Sequence, residues 1–162
     1  AFIGASKLKV KKSKFFWWGM SAVILFIGLD ELLVFHEKIG ASLSQNINNT
    51  GLFYFAWVIP YGIALILLAI LILKPLFELP VRDRLNFLAA GGIFVSGALG
   101  LEMFTGWYID TMGYQNQNLL RLPESFVLST FEELFEMIGT GFFVYALLDF
   151  IRKYRIKEAR IA

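Results

Sequence analysis

Apolar residues fall along this chain in four blocks, at 15–35, 52–73, 85–104 and 126–148, separated by short polar stretches. Each block reaches the ~20 residues that an α-helix needs to cross a ~30 Å hydrocarbon layer. The pattern predicts an all-α, integral membrane four-helix bundle whose short connections impose up-down topology. Flanking residues extend the spans to approximately 15–39, 52–73, 85–104 and 126–149, within a single membrane domain covering 1–162. The first block is too long for the apolar region of a secretory signal, and no small-residue cleavage site follows it. Pro60 interrupts the second block, which predicts a kink there; neighbouring helices can re-satisfy the carbonyl it frees.

Composition agrees with the pattern. Of 162 residues, 57% are hydrophobic and 17% charged, against about 25% charged in soluble domains. The absence of Cys excludes disulfides, thiolate metal sites and thiol catalysis. A single histidine, His36, excludes any site that needs two imidazoles. The basic tails contain few aromatics and lie beside spans, so they read as orientation signals and contacts to anionic membrane lipid. No nucleic acid is expected as a partner.

Lys and Arg set the orientation. Lys7, Lys9, Lys11, Lys12 and Lys14 precede the first span, and Lys38 follows it. Lys74, Arg82 and Arg84 lie between the second and third spans, Arg121 between the third and fourth. Arg152, Lys153, Arg155, Lys157 and Arg160 close the chain. Thirteen of the fifteen basic residues therefore share one side, which the positive-inside rule makes the cytoplasm. Both termini are expected there, in a bacterial inner membrane. Trp17 and Trp18 on the inner side, and Trp57, Trp107 and Tyr108 on the outer, are expected to form interfacial aromatic belts.

The chemistry lies in acids placed where lipid should be. Span one ends in Asp30, Glu31, His36 and Glu37; span three carries Glu102; span four opens with Glu132, Glu133 and Glu136. The orientation puts all of them in the outer half of the bilayer or at its outer edge. An Asp at membrane depth costs ~2.5–3.5 kcal/mol on insertion scales, so such groups face a bundle interior and find partners. If span one stopped at Leu29 it would reach only about 22 Å, which places Asp30 and Glu31 within it. Gly40 reads as the C-terminal cap of that helix, carrying it through His36 and Glu37 with Asp30 and Glu37 on one face. Glu132 and Glu136 stack at helical spacing. For Glu132 and Glu133 there is a competing reading, because Ser129-x-x-Glu132 and Thr130-x-x-Glu133 resemble capping boxes at a helix start. Glu102 continues a row with Gly91, Val95 and Ala98. Beside that row runs Gly92, Ser96 and Gly100, a small-residue stripe on which another helix can pack.

On the expected outer side only Lys38 and Arg121 face these acids together with Asp110 and Glu124. The excess carboxylates must be protonated, hydrated or bound to a cation. The sharpest expectation is a divalent metal site built from Asp30, Glu37, Glu102, Glu132 and Glu136, supported by His36, Glu31 and Glu133. Carboxylate-rich helical bundles hold metals in this way, although their usual Glu-x-x-His pairs are missing here. An oxygen-dominated site with one nitrogen suits Fe, Mn, Mg or Ca, in a structural or redox role. Enzymatic activity would require the metal to be redox-active.

The residues Asp30-Glu31-x-x-x-x-His36-Glu37, Trp57-Val58-Ile59-Pro60-Tyr61, Gly97-Ala98-x-Gly100-x-Glu102 and Glu132-Glu133-x-x-Glu136-Met137-x-Gly139 resemble an uncharacterised family of small four-span bacterial membrane proteins. That resemblance runs from about Phe15 to Asp149 and implies a four-helix membrane fold. Two other functions remain open beside metal binding. The chain could be an accessory subunit of a larger membrane complex, packing on other subunits or as a homo-oligomer, or it could conduct protons or cations.

Overall fold

The computed structural model describes residues 11–113 and 123–159; of the charges counted above, Lys7, Lys9, Arg121 and Arg160 lie outside them. Among the described residues the chain is helical, without strands, and four helices are long and apolar enough to cross a membrane. Helix α1 (Lys11–Leu33) is followed by a short α2 (Phe35–Leu43), a 3-10 turn (Gly51–Phe53) and α3 (Val58–Phe77). The third span joins α4 (Val81–Val95) to α5 (Glu102–Met112) through a π-helical turn at Ser96–Leu101. The fourth is one long helix, α6 (Pro123–Ala159).

The up-down arrangement shows in the aromatic core at the end where α1 and α4 begin and α3 and α6 finish. Phe16 and Trp17 of α1, Leu76 of α3, Phe87 of α4, and Ala146 and Phe150 of α6 form one buried cluster. Trp17 is its centre, with ring centroids 4.9 Å from Phe150, 5.1 Å from Phe16 and 6.0 Å from Phe87. Tilted and edge-on geometries of this kind add about 0.5–1.5 kcal/mol per pair to burial. At the same end Lys153 lies 2.6 Å from both the buried Asp83 and Asp149. One cation so placed compensates two acids.

Several local expectations change. Trp17 and Trp57 are buried, at 7% and 8% exposure, and serve the core instead of a belt, while Trp18 and Trp107 remain exposed. Pro60 sits in the first turn of α3, where its missing N–H has no intrahelical partner to lose, so the expected kink does not arise. Helix α6 starts at Pro123, ahead of the suggested capping boxes. Thr130 instead donates its hydroxyl to the Phe126 carbonyl at 2.8 Å, a mid-helix bond. Glu132 and Glu133 thus occupy the third turn of the helix, away from its dipole.

The tightest packing joins the third span to α6. A Cβ on Gly139 would lie 2.6 Å from the Phe94 nitrogen, and one on Gly97 would lie 2.8 Å from the Phe135 Cβ and 2.9 Å from the Glu132 carbonyl oxygen. The stripe expected to do this, Gly92, Ser96 and Gly100, does not: nothing approaches Gly92 from another helix, and Gly100 meets only the Val95 carbonyl. The face that meets α6 instead runs through Phe87, Ala90, Phe94 and Gly97 at ordinary helical spacing, and Gly92 and Ser96 lie off it. The π turn at Ser96–Leu101 carries more residues per turn than an α-helix, so the five-residue step from Gly97 to Glu102 keeps both on the side of α6.

These contacts predict that Gly139→Ala destabilises the protein by about 1–3 kcal/mol, because the backbone of Phe94 must move. Gly141→Ala, whose Cβ meets nothing, should be neutral or stabilising. Thermal unfolding of the two variants in detergent checks the contrast; equal melting temperatures would count against this packing.

Candidate functional site

The site is built around the break between α1 and α2. Val34 adopts a left-handed conformation, φ 55° and ψ 46°. That conformation is costly for a β-branched residue, on the order of 1–2 kcal/mol, and it ends α1 one residue earlier. The single helix expected through Ile39 is therefore two helices, and Gly40 lies inside the second, packed against Trp57. Asp30 and Glu37 consequently do not form a common face. Asp30 meets His36.

Asp30, 8% exposed, accepts three hydrogen bonds. The His36 backbone N–H donates to Oδ1 at 3.1 Å, and His36 Nδ1 lies 2.8 Å from Oδ2. From α3, the Tyr61 hydroxyl donates to Oδ1 at 2.5 Å. Lys38 turns back to cap α1, its Nζ 2.8 Å from the Leu33 carbonyl. Both sides of the chain reversal are thus tied to α1, which offsets the strain at Val34.

Trp57 and Tyr61, one turn apart on α3, carry the link onward. The His36 ring is 5.0 Å from Trp57 and 6.4 Å from Tyr61, and the two α3 rings are 5.2 Å apart. Trp57 donates its indole N–H to Glu102 at 3.2 Å. Glu102 is the first residue after the π turn, inside the 81–112 span and not at its end. Its carboxyl group is a hydrogen-bonding neighbour of Glu132 on α6. Glu136, one turn further, lies within electrostatic range of Glu31, His36, Glu102 and Glu133. Glu37 acts similarly on Glu102. Glu31, Glu37 and Glu133 are exposed on the protein surface, whereas Glu102, Glu132 and Glu136 are half-buried.

The structure thus brings the sequence candidates together in two linked groups. Asp30 and His36 form the clamp; Glu102, Glu132 and Glu136 form an acid cluster rimmed by Glu31, Glu37 and Glu133. Among the described residues no three His, Asp or Glu side chains are disposed to hold one metal ion. Two carboxyl groups in hydrogen-bonding contact need a proton or a cation between them, since two bare carboxylates repel.

Sequence reasoning missed Trp57 and Tyr61 as members of the site. Their signal was present: a Trp and a Tyr four residues apart share a helix face, and a buried indole N–H or phenol needs an acceptor. A further support lies beside the cluster. Gly51 N–H donates to Asp110 at 2.6 Å, and Gly106 lets the segment around Tyr54 and Phe55 rest on α5, where an added Cβ would come within 2.9 Å of the Tyr54 Cβ. Burial, and then the Asp110 charge, raise the Tyr54 phenol above its ordinary pKa, so it stays neutral.

The fold and the site define a four-helix protein with apolar spans and a carboxylate cluster between its third and fourth. The chain belongs to a family described as a domain of unknown function (DUF8692), whose model matches residues 1–150. No curated protein and no solved structure matches it.

Trp57→Phe removes the donor to Glu102 while keeping an aromatic ring under Gly40. The infrared carboxyl band that disappears in Glu102→Gln should shift in Trp57→Phe, by the loss of one hydrogen bond. A band unchanged in position would separate Trp57 from the acid cluster.

Proposed function

We propose that this chain is a multi-pass bacterial inner-membrane protein, with both termini in the cytoplasm, that holds a divalent cation at its outer-side acid cluster. The single observation carrying this reading is the Glu102–Glu132 carboxyl contact, surrounded by the charges of Glu136, Glu133, Glu37 and Glu31. The balance of outer-side charge supports it, because Lys38 is spent on the Leu33 carbonyl and does not serve the cluster.

Uptake is an exchange. Glu102, Glu132 and Glu136 would hold the cation, whose charge would take the place of a proton shared by the first two carboxyl groups. Hard oxygen donors favour Mn, Mg, Ca or Fe, with a structural or, for Fe and Mn, a redox role.

Purified protein in weak buffer, titrated with Mn²⁺, should release about one proton per bound ion, since binding to protonated ligands displaces their protons. Glu132→Gln should weaken binding about tenfold or more, equivalent to ~1.4 kcal/mol. Absence of stoichiometric Mn²⁺ together with absence of proton release would overturn the proposal.

A further inference from the structure

We infer that Asp30 is a positioning residue that fixes His36 as its Nδ1–H tautomer and turns Nε2 into the acceptor available to the acid cluster. The sequence suggests Asp30 as a ligand in its own right, but its geometry argues for another role. Its two oxygens already receive the His36 backbone N–H, the His36 ring and the Tyr61 hydroxyl, and it is buried.

Because an ionised carboxylate only accepts hydrogen bonds, a His36 ring in its neutral form must carry its proton on Nδ1 to bond Asp30 Oδ2 at 2.8 Å. That leaves the lone pair on Nε2. A ring nitrogen held this way by a carboxylate is the arrangement that orients an imidazole toward a metal or a proton donor. The ring lies within electrostatic range of both Glu102 and Glu136 and against Trp57, the donor to Glu102, which makes the cluster the group that Nε2 would serve. The bend at Val34 is part of the same device. In a continuous helix, positions 30 and 36 would point about 120° apart on the cylinder; the left-handed residue folds position 36 back over position 30.

The clamp makes its own demand on Tyr61. Because Tyr61 donates to Oδ1, the atom that also receives the His36 backbone N–H, it supports the position of Asp30 without competing for the ring at Oδ2. The tautomer should therefore survive loss of the phenol and fail with loss of the carboxylate.

This inference deepens the cation reading and rests on it only for what Nε2 finally binds. Its test is independent of metal. His36 is the single histidine, so protein labelled with ¹⁵N-histidine gives one imidazole, whose nitrogen shifts report the tautomer directly at a pH where the ring is neutral. The wild-type and Tyr61→Phe proteins should show the proton on Nδ1. Asp30→Ala should shift it predominantly to Nε2, and Asp30→Asn, which keeps the shape, serves where the alanine variant does not fold, with a mixed population expected. A proton on Nε2 in the wild type, or an unchanged tautomer in both Asp30 variants, would overturn the assignment. If the tautomer behaves as stated and Mn²⁺ does not bind, the positioning role stands and the cation reading alone is lost. If both hold, Asp30→Ala should also weaken Mn²⁺ binding although Asp30 does not touch the ion.

Discussion

A Cβ on Gly139 would sit 2.6 Å from the backbone of Phe94, and one on Gly97 would press on the backbone of Glu132 and Glu136. At these two places the third span and α6 approach as closely as helices can, and the acid cluster depends on that approach. Within a bilayer, helix association gains nothing from expelling water. It is driven by packing, which small residues allow. Gly97 lies one turn before Glu102 and faces the turn of α6 that bears Glu132 and Glu136. The contact that holds the two helices together therefore also fixes the separation of their carboxyl groups. With larger residues at these glycines the helices would part, and each acid would face lipid or water alone.

The four spans were legible because hydrophobic length is a sum over some twenty residues, and no single position can reverse it. So was the convergence of acids from three spans, since lipid leaves few places for a carboxylate. What escaped were the departures from uniform helical geometry. Val34 carries no sequence mark of a helix break; a Val in the left-handed region is tolerated only because the Asp30 bonds and the Lys38 cap surround it. The π turn at Ser96–Leu101 is equally silent, and the small-residue stripe misled because small size alone does not say which face packs: Phe94 and Gly97 meet α6 and Gly92 does not. Two of the expected belt residues, Trp17 and Trp57, are buried for a different reason. Position near the end of an apolar block does not determine whether a ring faces outward or into the bundle.

The two ends of the bundle treat charge differently. Where α1 begins and α6 finishes, Asp83 and Asp149 share Lys153 at 2.6 Å each, and the aromatic cluster around Trp17 closes over that end. An ion network with its counter-charge in place is suited to holding helices together. At the other end the acids outnumber their basic neighbours. Their hydrogen bonds come from neutral or titratable donors: an indole, a phenol, an imidazole and one another. A set of that kind leaves the charge of the acids uncompensated by any strong base in hydrogen-bonding contact with them.

Trp57 and Tyr61 connect the halves of the site across a single turn of α3. Each contributes one hydrogen bond, and side-chain bonds between membrane helices average only ~0.6 kcal/mol in measured cycles. Loss of either one therefore leaves the bundle standing, because the glycine contacts and the Trp17 cluster do not depend on it. Position is another matter. Trp57 is held between Gly40 and His36 on one side and Glu102 on the other, so a small shift of α2 is transmitted to the carboxyl pair through a rigid ring. The energetics of this site thus separate stability from geometry: the residues that bear little of the folding free energy are those that set where the acids and the imidazole point.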